Sequence, residues 1–334
     1  MKKNKIYILL VSTLLVACGD EFLTLKPTNQ IIADDYYNSE ERLYSALVAA
    51  YAPLQWHDWA INGFPLLAIS GVMSGEMLPG GGSASEGELL RKLMNFSTNS
   101  TDVPSQQWTV MLYAGINRCN IVIDKVVAVP ALEDAKVQRF TAEAKLLRAY
   151  YYKTLWKLWG NIPYYEKNLV AVPFVAPQLK ADEVYAKIMT DLDYACVNGR
   201  LPKIVYGSEL GRLTKGVALM MRTEVALYQN DKTKYTQALN DMREMMQPEY
   251  GYGLMSNFGD IWTDAGEFCK ESVWEVNYTD KGMRNWNEQL VVGGMILPRL
   301  LGMDGLTAGE GQIVELYPFR HLHFKCIKNP INQI

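Results

Sequence analysis

Arg284, Asn285, Trp286 and Asn287 set one indole among a guanidinium and two amides, with Tyr278 a few residues ahead. A flat apolar ring ringed by hydrogen-bonding groups is what a pyranose needs, because its C–H faces are apolar and its rim carries hydroxyls. Little in the immediate sequence could bury Trp286, and a polar loop is where binding residues concentrate. A second stretch, Trp56, His57, Asp58, Trp59 and Asn62, joins the same residue types where a helical pattern gives way to a loop. Here the alternative is core packing, with Trp56 and Trp59, three apart, closing the end of the helix core.

Other chemistries find less support. There are three histidines in 334 residues, and no Ser–His–Asp triad can be assembled from them. His321, His323 and Cys326 have the wrong spacing for one face of a helix, so no metal is expected. The glycine run at 79–87 can border a pocket, but no Gly-Lys-Ser/Thr follows it, so it is not a phosphate loop. No neighbourhood singles out a carboxylate pair for glycoside hydrolysis. Glu143 and Arg148 share one helix and read as an ion-paired set, not a catalytic one. No catalytic residue and no cofactor is assigned. With 33 basic against 36 acidic residues and no basic run, nucleic acid is not an expected partner.

The first cysteine carries a different chemistry. Lys2, Lys3 and Lys5 precede an apolar run, Ile6 to Val16, which leads to Leu15-Val16-Ala17-Cys18. The run is too short to span a bilayer, which takes ~20 residues. A positive end, a short apolar stretch and a small residue before the cleavage point form a signal peptide. With the cysteine at that place the motif resembles a bacterial lipobox, so residues 1–17 are expected to be removed and Cys18 to be acylated. Several acyl chains hold stably, at ~0.8 kcal/mol per buried methylene. Thirty basic and 36 acidic residues then remain. Asp20 and Glu21 resemble an acidic surface-export signal.

These groups must be positioned by a scaffold, and the pattern from 35 onward is helical. Ser39 reads as an N-cap for a helix carrying Leu43, Ala46, Leu47 and Ala50. Further helices are predicted over about 106–127 (Trp108, Leu112, Ile116, Cys119), 133–159, 181–196 with Asp182 as cap, 214–229 and 232–247. Gly160 and Pro163 end the longest. Tyr150, Tyr151, Tyr152, Trp156 and Trp159 surround that helix and are assigned mostly to packing. Residues 18–34 read as a tether and 60–105 as mostly loop. Residues 271–278 alternate polar and apolar, as a short strand would. Cys119, Cys196, Cys269 and Cys326 read mostly as small core residues, with a disulfide left open.

Several segments together resemble one family: "CGDEFLTLKPTNQ", "YNSEERLYSALVAAYAPL", "WTVMLYAGINRCNIVIDKV", "EAKLLRAYYYKTLWKLWGNIPYYEK", "GRLTKGVALMMRTEVALYQNDKTKYTQAL" and "ESVWEVNY". In this order, behind a lipobox, they are similar to the SusD/RagB nutrient-binding outer-membrane lipoproteins. The resemblance implies a mainly α fold: a tetratricopeptide-like scaffold of helical hairpins with a loop-rich ligand-binding region and a few short strands. It implies an oligosaccharide-binding, non-catalytic lipoprotein, held at the cell surface by its lipid anchor, that serves a TonB-dependent, SusC-like transporter. A peptide-binding member of the family, or a surface hydrolase, is the alternative. The expected division is a signal peptide at 1–17, a tether at 18–34, a SusD-like domain at 35–311 and an atypical tail at 312–334. The tail departs from the family pattern, as a truncated or frameshifted gene would.

Overall fold

Helix starts and stops follow from capping chemistry along the chain. The computed structural model describes residues 36–56, 66–79, 87–102, 104–277 and 316–318, with eight α-helices among them. Helix α1 (Glu40–Tyr51) opens at Ser39, whose hydroxyl accepts from Arg42 N, and Glu40 and Glu41 lie against the positive end of the helix. Leu43, Ala46, Leu47 and Ala50 are its buried stripe. Pro53 cannot donate into the ladder, and the chain tightens into a 3₁₀ turn, Ala52–Gln55. Helix α4 (Pro104–Lys125) has proline in its first turn, where the missing N–H is not needed. Helix α5 (Asp134–Trp159) ends at Gly160, whose φ of 68° suits a residue without Cβ. Helix α6 (Ala181–Ala195) is followed by α7 (Lys215–Tyr228), capped by Thr214, and by α8 (Tyr235–Met245), which Pro248 follows.

Neighbouring helices pack in sequence order: α1 on α4, α4 on α5, α5 on α6, and α7 on α8. The buried faces merge into one core centred on α5, where Tyr151, Tyr152, Leu147 and Leu155 are almost fully enclosed. Gly115 on α4 permits that approach, since a Cβ there would strike the Tyr151 ring. Cys119 and Cys196 are buried and Cys269 half-buried, all three as free thiols. Cys326 and the side chain of Trp108 lie outside the described set.

Four expectations need correction. The stretch 60–105 contains α2 (Leu66–Ser74) and α3 (Glu88–Met94). Its glycines and Pro79 obscure the short apolar face of Ala68, Ile69 and Val72, which the core buries. Residues 271–277 form no strand. Among the described residues no strand lies alongside to complete a ladder, and the alternation is met by side-chain packing, with Val273, Trp274 and Val276 against the core. Asp182 is not the cap of α6. The helix begins at Ala181, so Lys180 takes that place, with its N–H held by Glu183 at 2.9 Å, and Asp182 falls in the first turn. The pattern at 232–247 divides into a 3₁₀ turn, Lys232–Lys234, and α8, because Asp231 caps the turn through Thr233 N.

Two small antiparallel pairs complete the described architecture. Strand β2 (Ile162–Pro163) pairs with β3 (Gln178–Leu179), closing the 164–177 loop at its base. Strand β1 (Met77–Pro79) pairs with β4 (Leu316–Pro318), Leu78 opposite Tyr317. No described helix is long and apolar enough to cross a membrane.

Candidate ligand-binding face

Gln55 is the last residue of the turn that follows α1, and its side-chain amide Nε2 donates to the carbonyl oxygen of Asn277 at 2.9 Å. That bond joins points 222 residues apart in sequence. One is where the chain departs toward Asp58, Trp59 and Asn62. The other is where it departs toward Tyr278, Arg284, Asn285, Trp286 and Asn287. All eight of these residues lie outside the described set. Trp56 is described and is 6% exposed, with the Arg118 guanidinium carbon 4.6 Å from its ring centre. Arg118 is itself fixed by donating to Ala49 O at 2.8 Å. This Trp is therefore packed against the scaffold, as the core-packing reading of it proposes, and presents no open ring face.

Beside the Gln55–Asn277 bond lies a groove of about 260 Å³. Tyr44, Val48 and Tyr51 of α1, Gly211 and Arg212, and Phe268 and Trp274 line it. A second hollow of the same volume adjoins it across Trp274, bounded by Tyr206, Tyr252 and Lys270. The Trp274 indole is held by two contacts. Its Nε1 donates to Gly211 O at 3.0 Å, and Tyr150 meets it edge to face at 5.5 Å.

Arg212 is held from beneath by a buried carboxylate. Glu143 on α5 is fully enclosed and accepts from Arg212, from Arg139 Nε at 3.2 Å, and from the Tyr51 hydroxyl at 2.8 Å. The same hydroxyl accepts from Leu213 N at 3.0 Å. Arg212 also donates to Glu209 at 2.6 Å, and Arg139 lies 2.9 Å from that carboxylate. Burial, and then the negative charge of Glu143, push the Tyr51 hydroxyl well above its ordinary pKa. A carboxylate closed off in this way is committed to holding α1, α5 and the 209–213 segment together. Arg148 is engaged likewise, gripping Asp191 through two bonds of 2.7 and 2.8 Å while donating to Asn120 at 2.8 Å. Both members of the predicted Glu143–Arg148 set are thus ion-paired.

Aromatic side chains not selected from the sequence also reach the surface. Tyr206 is 73% exposed, and Phe258 and Trp262, 71% and 56% exposed, stand edge to face at 5.8 Å. Trp262 has Asp260, Thr263 and Asp264 as neighbours, the same pattern that selects Trp286, and that signal was available in the sequence. The described residues contain no cluster of His, Cys, Asp or Glu suited to a metal ion, and His321 and His323 lie outside them.

Comparison with known proteins places this geometry. Surface glycan-binding protein A from Bacteroides thetaiotaomicron, solved in complex with laminarihexaose, superposes with a TM-score of 0.72 at 34% identity, covering 79% of this chain and 55% of that one. The corresponding protein of Bacteroides uniformis gives 0.67 at 33% identity, covering 72% and 53%. SusD-like protein P25 of Formosa agariphila is 25% identical over 283 residues, 82% of this chain and 51% of its own length. The chain thus spans about half the length of the relatives it matches. The fold is that of the SusD-like proteins, a mainly helical scaffold with few strands. The family model described as SusD-like, starch-binding and associating with outer membrane matches residues 21–227, and the chain belongs to that family.

Proposed function

We propose that this chain is a lipid-anchored, surface-exposed outer-membrane protein that binds an oligosaccharide and passes it to a partner TonB-dependent transporter without chemical change. The observation that carries the proposal is the Gln55–Asn277 bond. It joins Gln55 to Asn277, the points from which the chain runs on into the two aromatic–polar segments, Asp58–Asn62 and Tyr278–Asn287, and one sugar chain is proposed to meet both. Trp286 and Trp59 then serve as stacking faces, and Asp58, Asn62, Arg284, Asn285 and Asn287 bond the hydroxyls. The absence of chemistry is supported by the engagement of Glu143 and Arg148 within the scaffold. A β-glucan is the first ligand class to test, because a structural relative was solved with laminarihexaose.

The experiment is titration of laminarihexaose and a panel of other oligosaccharides into the protein and its Trp286→Ala variant, with thermal unfolding of both. The expected outcome is a loss of roughly thirtyfold in affinity, about 2 kcal/mol, with unchanged melting temperature. An equal affinity in the variant removes Trp286 from the site. Cleavage of the bound sugar by the purified protein sinks the non-catalytic reading.

A further inference from the structure

Residues 169–177, Leu-Val-Ala-Val-Pro-Phe-Val-Ala-Pro, contain no side chain that can form a hydrogen bond, yet most of them face outward. Val170 is 95% exposed, Val172 81%, Val175 71% and Phe174 59%. Single apolar residues on a surface are ordinary, but a contiguous run exposed to this degree marks an interaction site.

The run is built to stand clear of the core. Its base is closed by the β2–β3 pair and by Tyr164 N donating to Pro177 O at 3.2 Å. Asn168 is held on the α4 side through Asn117 O at 2.9 Å. Tyr165 Oη reaches Phe174 O at 3.4 Å, and both residues line a hollow of about 370 Å³ together with Tyr113 and Leu169. The apolar tip is thus propped outward from a fixed base.

The charged residues nearest the run on its two sides are Lys167 and Lys180, both exposed. Glu166 is ion-paired with Lys187 at 2.9 Å, whereas Asp182 and Glu183, beyond Lys180, accept from neutral donors, the Gln229 amide at 2.9 Å and the Lys180 N–H. An aliphatic tip with an ammonium on each shoulder matches a bilayer surface: the tip enters the acyl boundary and the lysines reach lipid phosphates. A protein partner would be met differently, since interfaces favour aromatic residues, methionine and arginine over alanine, and valine is under-represented among binding hot spots. The anchor proposed at Cys18 supplies proximity, on which this inference rests. A tether over 18–34 reaches roughly 60 Å when fully extended, so the folded body stays close to the leaflet holding its acyl chains.

We infer that the 169–177 loop is a second membrane contact, dipping into the lipid surface and fixing the orientation of the tethered body. The test is a Val172→Cys full chain labelled with a polarity-sensitive fluorophore and mixed with phosphatidylcholine–phosphatidylglycerol vesicles carrying doxyl-labelled lipid. The unsubstituted chain, treated identically, gives the background from other cysteines. The expected result is a blue-shifted emission that the doxyl lipid quenches. Adding Val170→Asp and Val175→Asp to the labelled chain should abolish the quenching while leaving the melting temperature unchanged. A label that stays water-exposed on a chain sedimenting with the vesicles overturns the inference and leaves the anchor standing. Quenching unaffected by the two aspartates overturns it as well. So does a label shielded in the native outer membrane but exposed on lipid vesicles, which assigns the loop to a protein partner. Sugar titration of the same chains reads the proposed binding function independently.

Discussion

Replacing Glu143 tests whether the groove depends on the carboxylate beneath it. Glu143→Ala removes the acceptor shared by Arg212, Arg139 and the Tyr51 hydroxyl. Breaking a fully buried pair by deleting one partner costs ~3–5 kcal/mol, because the remaining charge is left without compensation. Here the loss should fall toward the lower end. Arg212 keeps its bond to Glu209, and the Arg139 side chain is 26% exposed, so water reaches part of the freed charge. A destabilisation of about 3 kcal/mol is expected, and at roughly 2–4 °C per kcal/mol for a body of this size the melting temperature should fall by about 6–12 °C. The assay is urea and thermal unfolding of the parent, Glu143→Ala, Arg212→Met and the double variant. The two single losses should fail to add, since they dissolve the same network. The control is Glu249→Ala, which breaks a pair with Lys203 whose side chains are 52% and 43% exposed, and should cost ~1 kcal/mol or less. A Glu143→Ala loss no larger than that control, or additive single variants, refutes the reasoning.

Trp56→Ala should behave as a core truncation, losing ~3–5 kcal/mol of stability, unlike Trp286→Ala. A Trp56→Ala protein that melts like the parent but binds sugar weakly reverses that assignment. Tyr151 and Tyr152 are buried and Tyr51 half-buried, and the hydroxyls of all three are held above the ordinary value of 10.0. The folded protein therefore keeps protons that the unfolded chain releases, so stability is full below pH 10 and falls as pH rises beyond it, by ~1.4 kcal/mol per pH unit for each such group. Urea midpoints measured from pH 8 to 11 check this, and a midpoint unchanged to pH 11 refutes it. Cys18→Ala should leave the precursor uncleaved by the lipoprotein signal peptidase and move the protein out of the outer-membrane fraction. Unchanged mature mass and membrane partition would count against the anchor.

Local chemistry is readable in a linear chain, and where it governs, the sequence alone determined the outcome. The Ser39 cap, the apolar stripe of α1 and the Gly160 stop depend on residues within a turn of one another, and these features stand as expected. The packing of Tyr151 and Tyr152 was equally legible, because aromatics distributed around a whole helix leave no solvent face for all of them. What required the tertiary structure depends on partners distant in sequence. A strand needs a neighbour to complete its ladder, and the alternation at 271–277 has none among the described residues; Trp274 bonds Gly211 instead. The fate of Trp56 was decided by Arg118, 62 positions away, and Gln55 was brought to Asn277 by one bond that spans 222 positions. The exposure of Val170 and Val172 was likewise undetermined by sequence, since an apolar run reads the same whether a core covers it or not. Capping and periodicity act over a few residues and are written in the chain. Burial and convergence are properties of the packed whole.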